Sequence, residues 1–176
     1  NFSLNETNGA GLFKLNIKTN VIQAFLSDPK DEKSLSSNLI LSLLVDKTGV
    51  LWVGTVLSGI NVYDKSVIKF ALLNTGAEEF NVIKNPIRGF YVDKNNLLWI
   101  ASQGSGLISF DRVNNKYEFF TRDDDKSNSI SSNVVLSLYD DGNFLWVGTS
   151  RGLNRFDKKS KTFKRFYIDP LNPDEA

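Results

Sequence analysis

Apolar and polar residues alternate along this chain in short stretches, which Gly, Asn, Asp and Ser residues separate. The clearest run of such stretches occupies residues 134–139, 144–149, 152–156 and 162–167. Stretches of five or six residues that are rich in β-branched and aromatic side chains, bounded by turn residues, are typical of β-strands. No segment has a strong 3.6-residue period, so the sequence predicts almost no helix.

The strand pattern repeats along the chain. Trp52, Trp99 and Trp146 are spaced 47 residues apart, and each lies in a similar Leu-Trp-(Val/Ile)-(Gly/Ala)-(Thr/Ser) run. A Gly-led stretch that ends in an aromatic residue and Asp follows each run, at 59–64, 106–111 and 152–157, and a related stretch without a Trp partner occupies 11–16. An Asp precedes each Trp by six residues, namely Asp46, Asp93 and Asp140.

Four short antiparallel strands per unit, at a period in the forties, are typical of a β-propeller blade. A single sheet cannot cover either of its faces, whereas stacked sheets cover both. The sequence therefore predicts an all-β fold, a β-propeller fragment of about 3.5 four-stranded antiparallel blades with a repeat of ~47 residues. The expected boundaries are a partial blade (its last two strands) with a linker at 1–33, and blades at 34–80, 81–127 and 128–176.

Composition narrows the function classes. The formal net charge is +1, which argues against nucleic-acid binding through phosphate contacts. The chain has no Cys and no His, so it lacks thiol chemistry and the commonest general base and metal ligand. No apolar run approaches the ~20 residues that span a bilayer, so no direct membrane contact is expected. We therefore expect no catalytic residues, no metal site, no cofactor and no enzymatic activity in this chain.

The repeated residues resemble a known family. The run Asp-x-x-Gly-x-Leu-Trp-Val-Gly-Thr at 46–55, the Gly-led stretches at 59–64 and 152–157, and the Ser-rich linkers at 34–38 and 129–133 are similar to the two-component regulator propeller repeat. The resemblance implies the periplasmic sensor region of a hybrid two-component regulator from Bacteroides-type bacteria. It also implies recognition of an oligosaccharide and signalling to a histidine kinase. The middle unit departs from the pattern, with Ala101 in place of Gly and 85–88 in place of the Ser-Ser-Asn linker.

Two other functions stay open from the residues alone. The propeller could be a protein-interaction scaffold without catalysis. It could also be a propeller lyase or glycosidase, which the absence of His and of an unrepeated carboxylate pair disfavours.

The repeated Trp and Asp residues are interpreted as structural, the Trp residues as packing between blades and the Asp residues as turn caps. The run 123–125, Asp-Asp-Asp, is interpreted as a solvated loop rather than a Ca²⁺ site, because a distal bidentate Glu is missing. Function in such a fold is expected from unrepeated residues in the loops between second and third strands and between blades. Arg88, Gln103 and Arg151 are therefore the candidate ligand-binding residues, since Arg can form paired hydrogen bonds with a carboxylate or sulfate.

An open arc of blades would expose an apolar sheet face at each end, which water penalises. We expect these faces to be covered by the rest of a longer chain or by another copy. A chain that starts at Asn1 and contains no Met is expected to be a processed chain or an excised piece.

Overall fold

The computed structural model describes residues 2–7, 9–64, 69–73 and 85–167, and the regular elements of these segments are all β-strands. The prediction of an all-β fold built from propeller-type antiparallel sheets is confirmed. The chain forms two compact units, Asn1–Ile87 and Arg88–Ala176.

The first unit contains two antiparallel sheets. The first sheet has three strands in the order β1–β2–β3, and the second has four in the order β4–β5–β6–β7. The strands are β1 (Phe2–Thr7), β2 (Gly11–Asn16), β3 (Val21–Phe25), β4 (Ile40–Val45), β5 (Leu51–Thr55), β6 (Ile60–Asp64) and β7 (Lys69–Leu72). A core of Leu12, Leu35, Ile40, Val53 and Phe70 lies in this unit.

The second unit holds two four-stranded antiparallel sheets, β8–β9–β10–β11 and β12–β13–β14–β15. In each sheet, neighbouring strands are consecutive in the sequence, so the chain runs up and down through the sheet. The strands are β8 (Ile87–Val92, which begins at the unit boundary), β9 (Leu98–Ser102), β10 (Gly106–Asp111), β11 (Lys116–Phe120), β12 (Val135–Asp140), β13 (Leu145–Thr149), β14 (Gly152–Asp157) and β15 (Thr162–Phe166).

Facing apolar side chains of these two sheets form the core of the second unit. Trp99 and Leu107 of one sheet are buried with Val147, Phe156 and Phe163 of the other. The Trp99 and Phe156 rings meet edge to face, with their centroids 5.5 Å apart. The predicted packing role is therefore confirmed for Trp99, which keeps 3% of its surface exposed.

The first sheet has one strand more than the two expected for residues 1–33. The additional strand β1 pairs with β2 from Phe2↔Asn16 to Thr7↔Gly11. In this register Leu4 lies opposite Lys14, the position that Trp146 takes opposite Arg155 in the last sheet. Because Leu stands where the repeat has Trp, the strand lacks the residue by which the other copies were recognised.

The sequence departures of the middle Trp-containing repeat, sheet β8–β11, fall on two neighbouring positions. In the sheets β4–β7 and β12–β15 a Ser of the first strand pairs with the Gly of the Leu-Trp-Val-Gly-Thr strand, as Ser42↔Gly54 and Ser137↔Gly148. In the sheet β8–β11 Gly89 lies beside Ala101, and a methyl group at Gly89 would be 3.9 Å from the Ala101 Cβ. In each pair at least one of the two positions is therefore Gly.

Substituting Ala for Gly54 should therefore destabilise the chain. The new Cβ would lie 2.3 Å from the Ser42 Oγ and 2.8 Å from Ile87 Cγ2, and the buried Ser42 hydroxyl is held by a 2.9 Å hydrogen bond to the Ile87 carbonyl. We expect Gly54→Ala to lower the free energy of unfolding by about 1–3 kcal/mol, as overpacking does, measured by urea denaturation.

Gly148→Ala is the matched control. Its Cβ would also lie 2.3 Å from a hydroxyl, that of Ser137, but Ser137 is exposed and free to rotate. A smaller loss is expected there, and Ser42→Gly should restore part of the stability lost in Gly54→Ala. Equal losses at both glycines, or no recovery, would contradict the steric explanation.

Candidate functional site

Up-and-down strand order divides the residues of the second unit between two ends of its sheets. We call the loop end the one that carries residues 103–105, 150–151 and the linker 121–134. We call the turn end the one that carries the hairpin turns 93–97, 141–144 and 158–161. The predicted ligand-binding residues belong to the loop end.

The Ser-Ser-Asn linker is fixed to the loop end by buried hydrogen bonds. The Asn154 Oδ1 accepts the Ser131 amide at 2.9 Å, and its Nδ2 donates to the Ser131 Oγ at 2.8 Å. Farther along, Asn133 Oδ1 accepts the Arg122 amide at 2.6 Å. The first unit repeats this arrangement, since Asn61 Oδ1 accepts the Ser36 amide at 2.9 Å. The repeated Ser and Asn residues therefore hold the loops rather than a ligand.

Arg88 and Gln103 are brought together by the fold. The Arg88 Nε donates to the Gln103 Oε1 at 2.8 Å, and the pair is exposed. The Gln103 backbone forms an isolated bridge with Val134, which joins the end of β9 to the linker before β12. An amide and a guanidinium held side by side at a surface present several hydrogen-bond donors and acceptors to a polyhydroxylated ligand.

Arg151 lines an open groove of about 540 Å³ together with Arg122, Ser150, Gly152 and Tyr167. Within the described part of the chain, no acceptor lies within hydrogen-bond distance of the Arg151 guanidinium; its backbone amide donates to Thr149 Oγ1 at 3.1 Å. The Tyr167 ring is 49% exposed. Arg122 and Tyr167 were not among the predicted residues; Arg122 lies near the start of the linker 121–134 and Tyr167 directly after β15, and only the fold brings both beside Arg151.

The Arg122 guanidinium is held in place from two sides. It donates to the Asp124 carboxylate at 2.5 Å through Nε and to the Ser131 carbonyl at 2.6 Å through NH1. As far as the described residues show, the groove therefore contains one anchored and one unpaired guanidinium. Such a pair favours an anionic or hydroxyl-rich ligand.

The Asp-Asp-Asp run forms a loop in which two of the three carboxylates have an ion-pair partner. Asp123 pairs with Lys126 at 2.8 Å, and this hydrogen bond, with that from the Asp125 amide, lowers the pKa of the Asp123 carboxyl. Asp124 pairs with Arg122. Among the described residues, no group of three Asp or Glu side chains is placed to hold a metal ion.

In the hairpin turns between the first and second strands of the four-stranded sheets, an Asp carboxylate accepts a hydrogen bond from the indole of the repeated Trp. The Trp52 Nε1 donates to the Asp46 Oδ2 and the Trp99 Nε1 to the Asp93 Oδ2, each at 3.0 Å. The other carboxylate oxygen accepts hydrogen bonds from amides of the turn; the Leu97 amide, for example, donates to Asp93 Oδ1 at 3.1 Å. The carboxylate therefore caps the turn, as predicted, and also satisfies a buried indole.

Asp140 also caps its turn, as predicted, because its Oδ1 accepts the Gly142 amide at 2.7 Å, but it does not bind the Trp146 indole. In the last sheet Trp146 Nε1 donates to Asp141 Oδ2 at 2.7 Å, and Asp141 Oδ1 accepts the Asn143 and Phe144 amides, each at 2.8 Å. The turn before Trp146 is one residue shorter than the turns before Trp52 and Trp99, so the Asp that binds this indole lies five residues before the Trp rather than six.

Asp140 instead belongs to a cluster that the repeat does not predict. Its carboxylate, 5% exposed, pairs with the Lys158 ammonium and lies close to Tyr91. Burial by itself would raise the pKa of Asp140, but the hydrogen bonds from Lys158 and the Gly142 amide and the Lys158 charge hold it below its usual range. Burial and the Asp140 carboxylate raise the pKa of Tyr91.

The assignment of Asp141 can be checked by NMR. Asp141→Asn should shift the Trp146 indole NH resonance, because the indole loses a charged acceptor. Asp140→Asn should leave that resonance nearly unchanged. The measurement is a ¹H–¹⁵N spectrum of the three indole groups, with Asp93→Asn as a positive control that shifts the Trp99 resonance. The reverse pattern for the two neighbouring Asp residues would refute the assignment.

Sheets of this kind, with an Asp–Trp contact at each complete turn, define a propeller-type repeat protein. Residues 34–56 match a family model described as the two component regulator propeller. The resemblance predicted from the sequence is therefore confirmed. No curated protein matched the sequence. Among the described residues, no helix is long and apolar enough to cross a membrane.

Solved structures share the fold. The extracellular domain of a protein assigned as a hybrid two component system from B. thetaiotaomicron is 24% identical, with a TM-score of 0.78 over 95% of this chain and 22% of that one. PorZ, a surface component of the type-IX secretion system of Porphyromonas gingivalis, is 23% identical, with a TM-score of 0.65 over 87% and 23% of the chains. The extracellular domain of a protein assigned as a one component system from B. thetaiotaomicron is 16% identical, with a TM-score of 0.54 over 97% and 29%.

Proposed function

We propose that this chain is part of the extracytoplasmic sensor propeller of a two-component regulator and recognises an oligosaccharide at the loop end of its second unit. The observation that carries the proposal is the groove of Arg151, Arg122, Ser150 and Tyr167. These side chains do not recur in the repeat, and Arg122 lies on the linker that Asn133 and Asn154 hold in place.

The groove combines the groups that a saccharide needs. An exposed Tyr ring offers a face on which a pyranose ring can stack. The unpaired Arg151 guanidinium offers donors for hydroxyl, carboxylate or sulfate oxygens. Ser150 Oγ is within hydrogen-bond distance of Ser132 Oγ, at 2.9 Å, so its orientation is set before a ligand binds. The exposed Arg88–Gln103 pair adds a second polar contact point on the loop end.

Location and signalling are further parts of the proposal. The match to the regulator propeller model and the likeness to extracellular domains of two-component systems support a periplasmic sensor that reports to a histidine kinase. The chain spans 22% of the length of the first of these structures. The kinase partner and the ligand identity therefore belong to the proposal for the whole protein.

Arg151→Ala should weaken glycan binding. Loss of a charge-assisted hydrogen bond typically costs about 1.5–3 kcal/mol, so we expect roughly 10- to 100-fold lower affinity for a glycan identified by calorimetric screening of the purified chain. Arg88→Ala should weaken binding in the same direction. Lys47→Ala, which removes one positive charge from an exposed hairpin turn of the first unit, is the control and should leave affinity unchanged.

Two outcomes would contradict this function. Binding that is insensitive to both Arg substitutions would move the site elsewhere. A chain that binds no glycan of a broad panel, but binds a protein partner through the same Arg residues, would favour the interaction scaffold instead.

The outer face of the sheet β12–β15 carries exposed apolar side chains, and we propose that another sheet of this repeat covers it. Tyr139 is 68% and Leu153 43% exposed there. By register Leu153 is the counterpart of Leu107, which the next sheet covers completely. The surface that buries such positions inside this unit is another four-stranded sheet, so we propose that a further sheet of this repeat covers the outer face.

In a solution of this chain alone, another copy is the available source of such a sheet. We expect concentration-dependent self-association in sedimentation velocity, which Leu153→Lys should reduce because it places a charge in the contact. Val113→Lys, at a position 83% exposed in a hairpin turn, is the control. A monomer at all concentrations, unaffected by either substitution, would contradict the proposed coverage.

A further inference from the structure

A cleft of about 380 Å³ opens at the turn end of the second unit, away from the groove of the proposed function. Its lining comes from three neighbouring turns. The lining residues are Lys94, Asn95, Gly142, Asn143, Phe144, Asp157, Lys158 and Lys159. This volume lies within the range of small-ligand sites.

The shortened turn before Trp146 shapes this cleft. Because Asp141 takes over the contact with Trp146, Asp140 pairs with the Lys158 ammonium instead. The Lys158 side chain is only 19% exposed, so this cation is held at the wall of the cleft rather than extending into solvent. A positioned ammonium loses less conformational entropy on binding than a mobile one.

The charge of the lining is predominantly positive. The lining holds three Lys side chains and one Asp, and because Lys158 is paired with Asp140, Lys94 and Lys159 supply the excess positive charge. The Asp157 carboxylate is engaged by its own turn, accepting the Lys159 amide at 2.8 Å and the Ser160 amide at 3.2 Å. Within the described segments, Lys94 and Lys159 have no carboxylate within ion-pair distance. Two unpaired ammonium groups and one positioned ammonium therefore surround the same space.

Neutral donors and an aromatic ring complete the cleft. Asn95 and Asn143 place amide side chains in the lining. The Arg155 guanidinium carbon lies 4.2 Å from the centre of the Phe144 ring, which fixes the orientation of the ring. A ligand with an anionic group and an adjoining carbon skeleton would meet both kinds of surface.

We infer that this turn-end cleft is a second binding site, which takes the sulfate or carboxylate group of an anionic ligand. The Lys94 and Lys159 ammonium groups would bind the anionic oxygens, Lys158, paired with Asp140, would lie at the wall of the site, and Asn95 and Asn143 would donate to neighbouring oxygens. The site does not depend on the oligosaccharide groove, since it uses other residues at the opposite end of the sheets.

The test uses the purified chain and ¹H–¹⁵N NMR titrations with inorganic sulfate, glucuronate and glucose as probes. We expect sulfate and glucuronate to give saturable shifts at the Lys158, Lys159 and Asn143 amides, and glucose to give none. Tighter binding of glucuronate than of sulfate would assign the site to an anionic saccharide, and the reverse to a free anion.

The double variant Lys94→Gln/Lys159→Gln should bind about tenfold more weakly without loss of folding, because neither ammonium has a partner among the described residues. Lys158→Gln breaks a buried pair and is therefore interpreted only if its thermal unfolding matches that of the wild type. Arg151→Ala should leave these titrations unchanged, which separates this site from the proposed oligosaccharide groove. Shifts that do not saturate, or that Lys47→Gln reduces as much as the double variant does, would overturn the inference.

Discussion

The hydrogen bond between a turn carboxylate and the indole of the neighbouring strand supports much of this structure. One carboxylate oxygen accepts the amides that close the first hairpin of the sheet, and the other accepts the Trp Nε1, as for Asp93 and Trp99. The bond lets a large side chain enter the core without burying an unsatisfied donor. Every complete sheet uses it, so the turn conformation and the packing of the sheets are coupled.

This arrangement separates structural residues from those available for binding. The polar groups of Ser131, Asn133 and Asn154 form hydrogen bonds that hold the linker. The carboxylates of the repeated Asp residues form hydrogen bonds with turn amides and indoles. Unrepeated residues at the two ends of the sheets remain available for ligands. The second unit thereby presents a guanidinium-lined groove at one end and an ammonium-lined cleft at the other.

A single missing residue in one turn has a chemical consequence. In the last sheet the shorter turn moves the indole contact to Asp141, and Asp140, which still accepts the Gly142 amide, becomes a buried carboxylate that pairs with Lys158. In repeat proteins, such a shift of register changes the role of a residue without changing its type. In the sheet β8–β11, Gly89 and Ala101 reverse the order of the larger and the smaller residue that the sheets β4–β7 and β12–β15 have as Ser and Gly.

The sequence by itself determined the fold class, because Trp, Asp and Gly recur at a fixed period only if equivalent sheets repeat. It also indicated Arg88, Gln103 and Arg151 as unrepeated residues, and the structure pairs the first two at 2.8 Å. It missed strand β1, where Leu4 replaces Trp in an otherwise equivalent register. Only the tertiary structure decided that Arg122 and Tyr167 join Arg151, and that Asp140 faces Lys158. These contacts join residues far apart in the chain, and their distances depend on turn lengths that a pattern of residue types does not encode.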